Sequence, residues 1–206
     1  MYDVPYFKAT DPAELRAFMQ AHPFALLAGV NANRQPVATQ VPVFTDERDG
    51  RLFITGHIQR KTDHHRAFEQ HPDALLVFTG PHAYVSASWY SDPQQASTWN
   101  YMSVHARGRL RFLNEEELLR LLERTTAHFE NNPHSPAGFH HLPPAYVQQH
   151  MKAIVAFEVQ VQQLEHVFKL SQNRDRQSYD TIIDRLQEQG GEAAQLATAM
   201  QRLKQE

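Results

Sequence analysis

The chain has 206 residues, 41% of them hydrophobic, and its 20 lysines and arginines against 23 aspartates and glutamates give a net charge of −3. This length and composition suit one compact domain with an appendage, and any DNA binding would need a local basic patch. No stretch approaches the roughly 20 apolar residues of a membrane span, the opening lacks a signal-peptide pattern and cysteine is absent, so we expect a cytoplasmic protein that has no disulfides and does not enter a membrane.

The first part of the chain is predicted to combine one helix with several short strands. Asp11 followed by Pro12 predicts the start of a helix that ends near His22. After this helix, short runs of β-branched, aliphatic and aromatic residues alternate with turn-rich segments, which is typical of antiparallel hairpins. The predicted strands span residues 24–30, 37–44, 51–56, 74–79 and 83–88.

The next elements are a long strand, a helix and a further strand. Residues 100–113 place three arginines on one face of a strand, and this alternation indicates that the arginine face is solvated. Asn114 predicts a helix cap, with Glu117 as its capping-box partner. The apolar stripe of this helix, which is expected to be buried, comprises Leu118, Leu119, Leu122 and Phe129. After a polar connection, residues 154–161 predict another strand.

The composition changes after Asn173 to polar helix formers. Apolar residues recur at helical spacing on both sides of Gly190 and Gly191, which predicts a helical hairpin. We therefore predict a domain over residues 1–173 and a C-terminal helical arm over 174–206. The apolar stripe of the arm is expected to pack against the first domain or a partner subunit. A DNA-reading helix-turn-helix is the alternative, but acidic residues interrupt every basic face of the arm.

Familiar catalytic motifs are missing from the sequence. It contains no dinucleotide fingerprint, phosphate loop, serine-hydrolase elbow or zinc-protease motif. The densest histidine groups are His64, His65, His140, His141 and His150. Adjacent histidines point in different directions and no carboxylate stands at a clear ligand spacing, so we predict no metal site. No residue is predicted to be catalytic.

The first candidate binding segment follows the strand over residues 51–56. Arg60 and Lys61, together with the hydroxyl of Thr62, come just before a short helical stretch. Two cations and a hydroxyl beside a helix N-terminus are typical of a phosphate pocket. The alternative interpretation is an exposed charged turn.

A second candidate segment concentrates aromatic and hydroxyl side chains within about twenty residues. Both tryptophans of the chain lie there. Such a set can offer aromatic walls and directed hydrogen bonds to a flat heterocycle, whereas the alternative is an ordinary aromatic core. The side chains concerned are Ser86, Ser88, Trp89, Thr98, Trp99 and Asn100.

Several runs of this sequence closely resemble the PaiB family. They are Gly-Pro-His-Ala-Tyr-Val-Ser-Ala-Ser-Trp-Tyr at 80–90, Thr-Trp-Asn-Tyr at 98–101 and Phe-Lys-Leu-Ser-Gln-Asn-Arg at 168–174, with weaker likeness at 1–7, 56–57 and 153–158. Members of this family are described as FMN-binding negative transcriptional regulators. The resemblance implies a mainly β fold with peripheral helices (α+β), namely the antiparallel FMN-binding split β-barrel with a helical C-terminal arm.

The resemblance also implies FMN as the cofactor, enclosed by two subunits of a homodimer. Residues 59–61 resemble the Ser-Arg-Lys phosphate-binding run of pyridoxamine-phosphate oxidases, which share this fold. PaiB proteins usually continue after the arginine with Ala-Asn-Pro-Gln-Trp, whereas this chain continues with residues 61–65, Lys-Thr-Asp-His-His. Gly56 and His57 are expected beside the isoalloxazine ring. The expected cofactor-binding residues are Gly56, His57, Arg60, Lys61, Thr62, Ser86, Ser88, Trp89, Thr98, Trp99 and Asn100.

Three functional hypotheses follow from the sequence. The first is an FMN-binding negative transcriptional regulator, in which DNA as a partner is implied by the family alone. The second is a flavin-dependent oxidoreductase, because flavin carries its own hydride and oxygen chemistry. The third is a barrel that has lost flavin and binds haem with the help of histidine.

Overall fold

Six β-strands form a closed barrel in the computed structural model, which describes residues 1–9 and 11–204. The strands are β1 (Phe24–Val30), β2 (Pro36–Arg48), β3 (Arg51–Gln59), β4 (Asp73–Val85), β5 (Thr98–Phe112) and β6 (Ile154–Lys169). Their order around the barrel is β1, β2, β3, β6, β5, β4. Strand β1 pairs antiparallel with β2 and β4, and β3 pairs antiparallel with β2 and β6. The predicted antiparallel, mainly β architecture with peripheral helices is therefore confirmed.

Six α-helices accompany the strands in the described part of the chain. They are α1 (Pro12–Ala21), α2 (Asp63–Gln70), α3 (Glu115–Glu130), α4 (Pro144–Met151), α5 (Arg176–Gln189) and α6 (Gly191–Leu203). The side chain of Asp11 accepts the Ala13 N–H at 2.8 Å, and Asn114 with Glu117 forms the predicted capping box. These caps explain where α1 and α3 begin, because they satisfy N–H groups that have no partner inside a helix. None of the described helices is long and apolar enough to cross a membrane.

Strands β4 and β6 are longer than the sequence pattern predicts. Strand β4 runs without a break through Gly80 and Pro81, where two strands are predicted, because the fixed φ of proline suits an extended chain. Gly80 is needed there, since a Cβ would come within 2.6 Å of the Phe18 ring. Strand β6 continues past Gln162 and Gln163, whose exposed side chains meet solvent instead of ending the strand.

The buried stripe of α3 differs from the predicted one in its last turn. Leu118 and Leu121 are buried and pack with Ala156 of β6. Phe129 is 52% exposed, so its predicted burial is wrong. The last turn of α3 lies beyond this buried cluster, and the Phe129 ring meets Phe44 there at a centroid distance of 6.3 Å.

The helical hairpin predicted near the C-terminus is confirmed. Ile182, Leu186, Leu196 and Met200 on the two helices are completely buried. The hydroxyl of Tyr179 on α5 donates to the carbonyl oxygen of Met200 on α6 at 2.9 Å. Apolar residues at helical spacing therefore supply the faces along which α5 and α6 pack.

The chain divides into two compact units. The first unit comprises Met1–His22, Phe78–His105 and Glu165–Glu206, and it contains α1, α5 and α6. The second unit comprises Pro23–Val77 and Ala106–Leu164, and it contains α2, α3 and α4. Strands β4, β5 and β6 each contribute residues to both units. The predicted boundary between residues 173 and 174 stays a prediction, and positions 205 and 206 lie outside the described residues.

Candidate functional site

Two cations lie on the turn between β3 and α2 in the second unit. The Nε of Arg60 donates to the carbonyl oxygen of Ile154 at 2.8 Å, and its backbone N–H donates to that of Ala153 at 2.8 Å. The two terminal nitrogens of Arg60 have no hydrogen-bond partner among residues 1–9 and 11–204. Lys61 is exposed and has a φ of 66°. Its ammonium group has no hydrogen-bond or ion-pair partner among the described residues. This turn therefore presents anchored but unused cationic donors, which suit an anion such as a phosphate.

Thr62, the third predicted member of the phosphate pocket, is the cap of α2. Its hydroxyl accepts the His65 N–H at 3.3 Å and donates to the carbonyl oxygen of Gln59 at 2.9 Å. A hydroxyl has one hydrogen to donate, so Thr62 has none left for a phosphate oxygen. The donors of this segment that remain available are those of Arg60 and Lys61.

A carboxylate already occupies the N-terminus of α2. Asp63 accepts the backbone N–H of His64 at 2.8 Å, and this bond lowers the pKa of the Asp63 carboxyl. A negative charge is favourable at a helix N-terminus. A phosphate would have to compete with Asp63 for the same place, so the helix end is a poorer anion site here than the cations beside it.

Gly56 and His57 lie on opposite faces of β3. A Cβ on Gly56 would lie 2.8 Å from the ring of Phe157 on β6, so protein fills the space in front of this glycine. His57 pairs with Ala156 and is half-buried. Burial lowers its pKa, so the imidazole is neutral at pH 7 and offers one donor and one acceptor. Of these two residues, His57 is the one that has a side chain to offer a ligand.

The close approach at Gly56 leads to a prediction about stability. Replacing Gly56→Ala is expected to lower the free energy of unfolding by about 1 to 3 kcal/mol, because the Phe157 ring must move. In a Phe157→Leu background, which removes the obstructing ring atoms, the same alanine is expected to cost less. Urea unfolding of the four proteins measures the difference. An equal cost of Gly56→Ala in both backgrounds would show that the ring is not the cause.

The serines of the second candidate segment, in the first unit, are paired with each other. Ser86 Oγ accepts the N–H of Ser88 at 3.2 Å and lies 2.8 Å from Ser88 Oγ. This arrangement caps a short 3₁₀ turn, Ala87–Trp89. Trp89 is half-buried in that turn. The two hydroxyls thus already have a structural role, which is to hold the chain as it leaves β4.

Asn100 is completely buried and is held by a residue far along the chain. Its side-chain nitrogen donates to Ser171 Oγ at 2.9 Å and lies 3.7 Å from the sulfur of Met200. The Ser171 hydroxyl lies 3.1 Å from the Asn100 side-chain oxygen. These contacts link β5 with the residues after β6 and with α6, so the amide of Asn100 is used inside the first unit.

Thr98 and Trp99 differ in their surroundings. The ammonium group of Lys169 donates to Thr98 Oγ1, and burial followed by the charge of Arg174 lowers the pKa of Lys169. Trp99 is 54% exposed and lies 6.1 Å, between ring centroids, from both His82 and Tyr84. Trp99 therefore belongs to an exposed aromatic surface and not to a core.

The structure brings the predicted residues together in two sets, one in each unit. Residues 56, 57 and 60–62 form a set at the end of β3, and residues 86, 88, 89 and 98–100 form a set around the start of β5. The carbonyl groups of Ala153 and Ile154 position Arg60, and the sequence pattern does not predict them. No side-chain signal could have found them, because backbone carbonyls occur at every residue. Within residues 1–9 and 11–204, no group of three or more histidine, aspartate and glutamate side chains could hold a metal ion.

Four histidines lead to a prediction about pH. Burial lowers the pKa of His22, His57, His65 and His166 from the usual value of 6.5. The unfolded chain therefore takes up protons before the folded chain does, and stability present above pH 6.5 is lost as the pH falls below it. We expect the free energy of unfolding, measured by urea denaturation, to be lower at pH 5.5 than at pH 7.5.

One histidine provides a specific test of this pH dependence. Nε2 of His166 accepts the backbone N–H of Ala9 at 2.7 Å, which requires a neutral imidazole. A His166→Gln variant retains an acceptor and does not titrate, so its pH dependence is expected to be shallower. Exposed His134→Gln is the matched control. If both variants show the same dependence of unfolding free energy on pH as the parent, His166 does not contribute to the loss of stability at low pH.

Known proteins resemble this chain in sequence and in fold. Residues 1–163 match the family model described as "Putative FMN-binding domain". The chain is 35% identical over 202 residues to protease synthase and sporulation protein PAI 2 of Bacillus subtilis, covering 98% of this chain and 97% of that relative. It thus matches this relative over nearly the full length of both.

Two solved structures share the fold. The flavocytochrome Anf3 of Azotobacter vinelandii has a TM-score of 0.59 and 16% identity, covering 87% of this chain and 78% of that chain. The FAD and heme binding protein of Mycobacterium smegmatis has a TM-score of 0.53 and 17% identity, covering 78% of this chain and 72% of that chain. At sequence identities this low, the structural similarity shows only that the fold is shared.

Proposed function

Because this chain belongs to the PaiB family of FMN-binding proteins, we propose that it is a cytoplasmic homodimer that acts as a negative transcriptional regulator. FMN is its cofactor, and the observation that carries the site is the pair of unused cations at Arg60 and Lys61. A phosphomonoester carries up to two negative charges, so two adjacent cations with unused donors match it in charge. The residues of this turn therefore fit the phosphate end of the cofactor.

Arg60 and Lys61 make different contributions to this proposed contact. The bond from Arg60 Nε to Ile154 orients the guanidinium before a ligand arrives, so little side-chain freedom is lost on binding. Lys61 is exposed and adds a flexible point charge. Asp63 repels the phosphate from the helix end, which keeps it on the cations.

The isoalloxazine ring of FMN would contact neutral and aromatic side chains. Bound FMN supplies electron and hydride transfer. The neutral imidazole of His57, in the second unit, can hydrogen-bond a polar edge of the ring. The other matched residues are proposed to support cofactor binding within their own unit, because most of their polar groups bond there. Gly56 and Thr62 belong to the second unit, and the first unit holds Ser86, Ser88, Trp89, Thr98, Trp99 and Asn100.

The surface of β1 supports the proposal of a homodimer. Phe24, Leu26 and Val30 lie on one face of this strand and are exposed. Ala38 on the paired strand β2 is exposed as well. Exposed apolar side chains grouped on one sheet face are typical of a protein interface. We propose that a second copy of the chain covers it.

Direct DNA binding would depend on the exposed face of β5. Residues 106–111 alternate between buried apolar and exposed arginine positions, and Arg109 has no partner among the described residues. A patch assembled across the dimer from Arg109 of each subunit would bind phosphates. Its affinity should then fall about tenfold or more between roughly 50 and 200 mM salt.

A spectroscopic experiment tests the cofactor and the dimer together. The purified protein is expected to take up FMN with a retained flavin absorption spectrum, and light scattering is expected to give twice the chain mass. A monomer that binds FMN would contradict the proposed interface. A dimer that takes up no FMN would contradict the proposed site at Arg60 and Lys61.

A selection experiment tests the regulatory function. Duplexes from a random DNA library are incubated with the protein, with and without FMN, at two salt concentrations. Enrichment of one sequence class that weakens steeply with salt is expected. No enrichment, combined with nicotinamide-dependent reduction of bound FMN and turnover of an acceptor, would instead support a flavin-dependent oxidoreductase.

A further inference from the structure

A cavity lies within the first unit. It has a volume of about 560 Å³ and is lined by α1, α6 and parts of β4, β5 and β6. Cavities of roughly 300 to 1,000 Å³ are typical of sites for small organic molecules. None of the residues expected to bind FMN lines it.

The floor of the cavity is apolar. The rings of Phe18 and Phe168 pack with their centroids 5.0 Å apart, and Leu170 beside them is buried. Gly80 leaves room for the Phe18 ring, because a side chain at this position would collide with it. The walls carry the small side chains of Ala17, Ala21 and Ala199, which leave the space above the rings open.

Two polar groups at the edge of the cavity have no hydrogen-bond or ion-pair partner among the described side chains. His22 follows α1, and its imidazole lies 4.6 Å from the Phe18 ring with no hydrogen bond to any described residue. Burial lowers the pKa of His22, so the ring is neutral at pH 7. Arg202 is exposed on the last turn of α6 and makes no ion pair within residues 1–9 and 11–204. Glu14, which also lines the cavity, already has an interaction of its own.

We propose that this cavity binds a small organic acid, namely a carboxylate attached to an aromatic or branched apolar body. The body would lie on Phe18 and Phe168, where it replaces water against apolar surface. The carboxylate would accept from the guanidinium of Arg202 and from the N–H of His22. An organic cation would be repelled by Arg202, and a purely apolar molecule would leave His22 unpaired.

Binding of 3-phenylpropionate to the FMN-loaded protein tests this proposal. Isothermal titration is expected to show saturable binding of this acid and weaker binding of 3-phenylpropan-1-ol, which lacks the charge. Arg202→Gln is expected to weaken binding of the acid by about 3- to 10-fold, because the lost ion pair is exposed. Arg176→Gln, an exposed arginine outside the cavity, is the matched control and is expected to bind like the parent.

A second variant tests the location independently of charge. Ala199→Leu narrows the cavity with a good helix former and is expected to weaken binding of both probes. If the Ala199→Leu variant does not fold, the comparison of Arg202→Gln with the parent is sufficient to test the proposed site. Absence of binding, equal binding of acid and alcohol, or binding unaffected by Arg202→Gln would each overturn the proposal. Release of FMN by the acid would also overturn it, because the two ligands would then share one site.

Discussion

Replacing both Arg60 and Lys61 by alanine is expected to weaken FMN binding by about 100-fold or more. Hydrogen bonds to charged groups contribute about 1.5 to 3 kcal/mol each, which corresponds to at least tenfold in affinity. Arg60 should account for most of the loss, because it is half-buried and oriented by Ile154, whereas Lys61 is exposed and screened by solvent. Titration of FMN fluorescence against each single variant and the double variant measures the effect.

Two further variants make this experiment specific. Arg66→Ala removes an exposed cation from α2, close in sequence to the turn, and is expected to leave FMN affinity within about twofold of the parent. Arg60→Lys keeps the charge but loses the planar fork, so an intermediate affinity is expected. If the double variant binds FMN as the parent does, the phosphate lies elsewhere.

Replacing both Arg48 and Arg111 by methionine is expected to lower the free energy of unfolding by about 3 kcal/mol. Glu158 on β6 is 5% exposed and accepts from Arg48 and from Arg111, the latter through Nε at 3.1 Å and a terminal nitrogen at 2.8 Å. Without the arginines the carboxylate stays buried and unpaired. The arginines themselves are half-exposed, so water compensates part of the loss and the effect should lie near the low end of the usual 3 to 5 kcal/mol.

A triple variant shows whether the buried carboxylate is the cause. Adding Glu158→Met to the double variant is expected to recover most of the stability, because an apolar side chain can replace a buried ion cluster at little cost. Arg120→Met, which removes an exposed pair with Glu116, should cost less than about 1 kcal/mol. Urea unfolding of the parent and of each variant measures these differences in the free energy of unfolding. A triple variant no more stable than the double one would argue against an unpaired Glu158.

Elements whose signals are local could be predicted from the sequence. The caps at Asp11 and Asn114 and the alternation over residues 106–111 all depend on residues a few positions apart. The continuous course of β4 through Pro81 and the extra length of β6 could not be predicted in this way. Neighbouring strands stabilise these segments, and the sequence pattern within the segments does not reveal those partners.

The same distinction applies to the candidate site. Arg60 and Lys61 could be identified from their charge and position before a helix, and the motifs over residues 80–101 and 168–174 indicated the family. The uses of Thr98 and Asn100 could not be identified, because their partners Lys169 and Ser171 lie 71 positions away. Glu158 does carry a sequence signal, because it is the single carboxylate in the apolar predicted strand over residues 154–161.

By itself, the sequence determined the antiparallel, mainly β fold class, the helix caps, the family and the segment with the two cations that are proposed to bind phosphate. These follow from residue types and short spacings, which are properties of neighbouring positions. Only the tertiary structure decided which polar groups are free for a ligand. Arg60 retains unused nitrogens, whereas the Thr62 hydroxyl and the Asn100 amide are already bonded. A polar group is free or used according to what lies within hydrogen-bond distance, and folding brings those partners from distant parts of the chain.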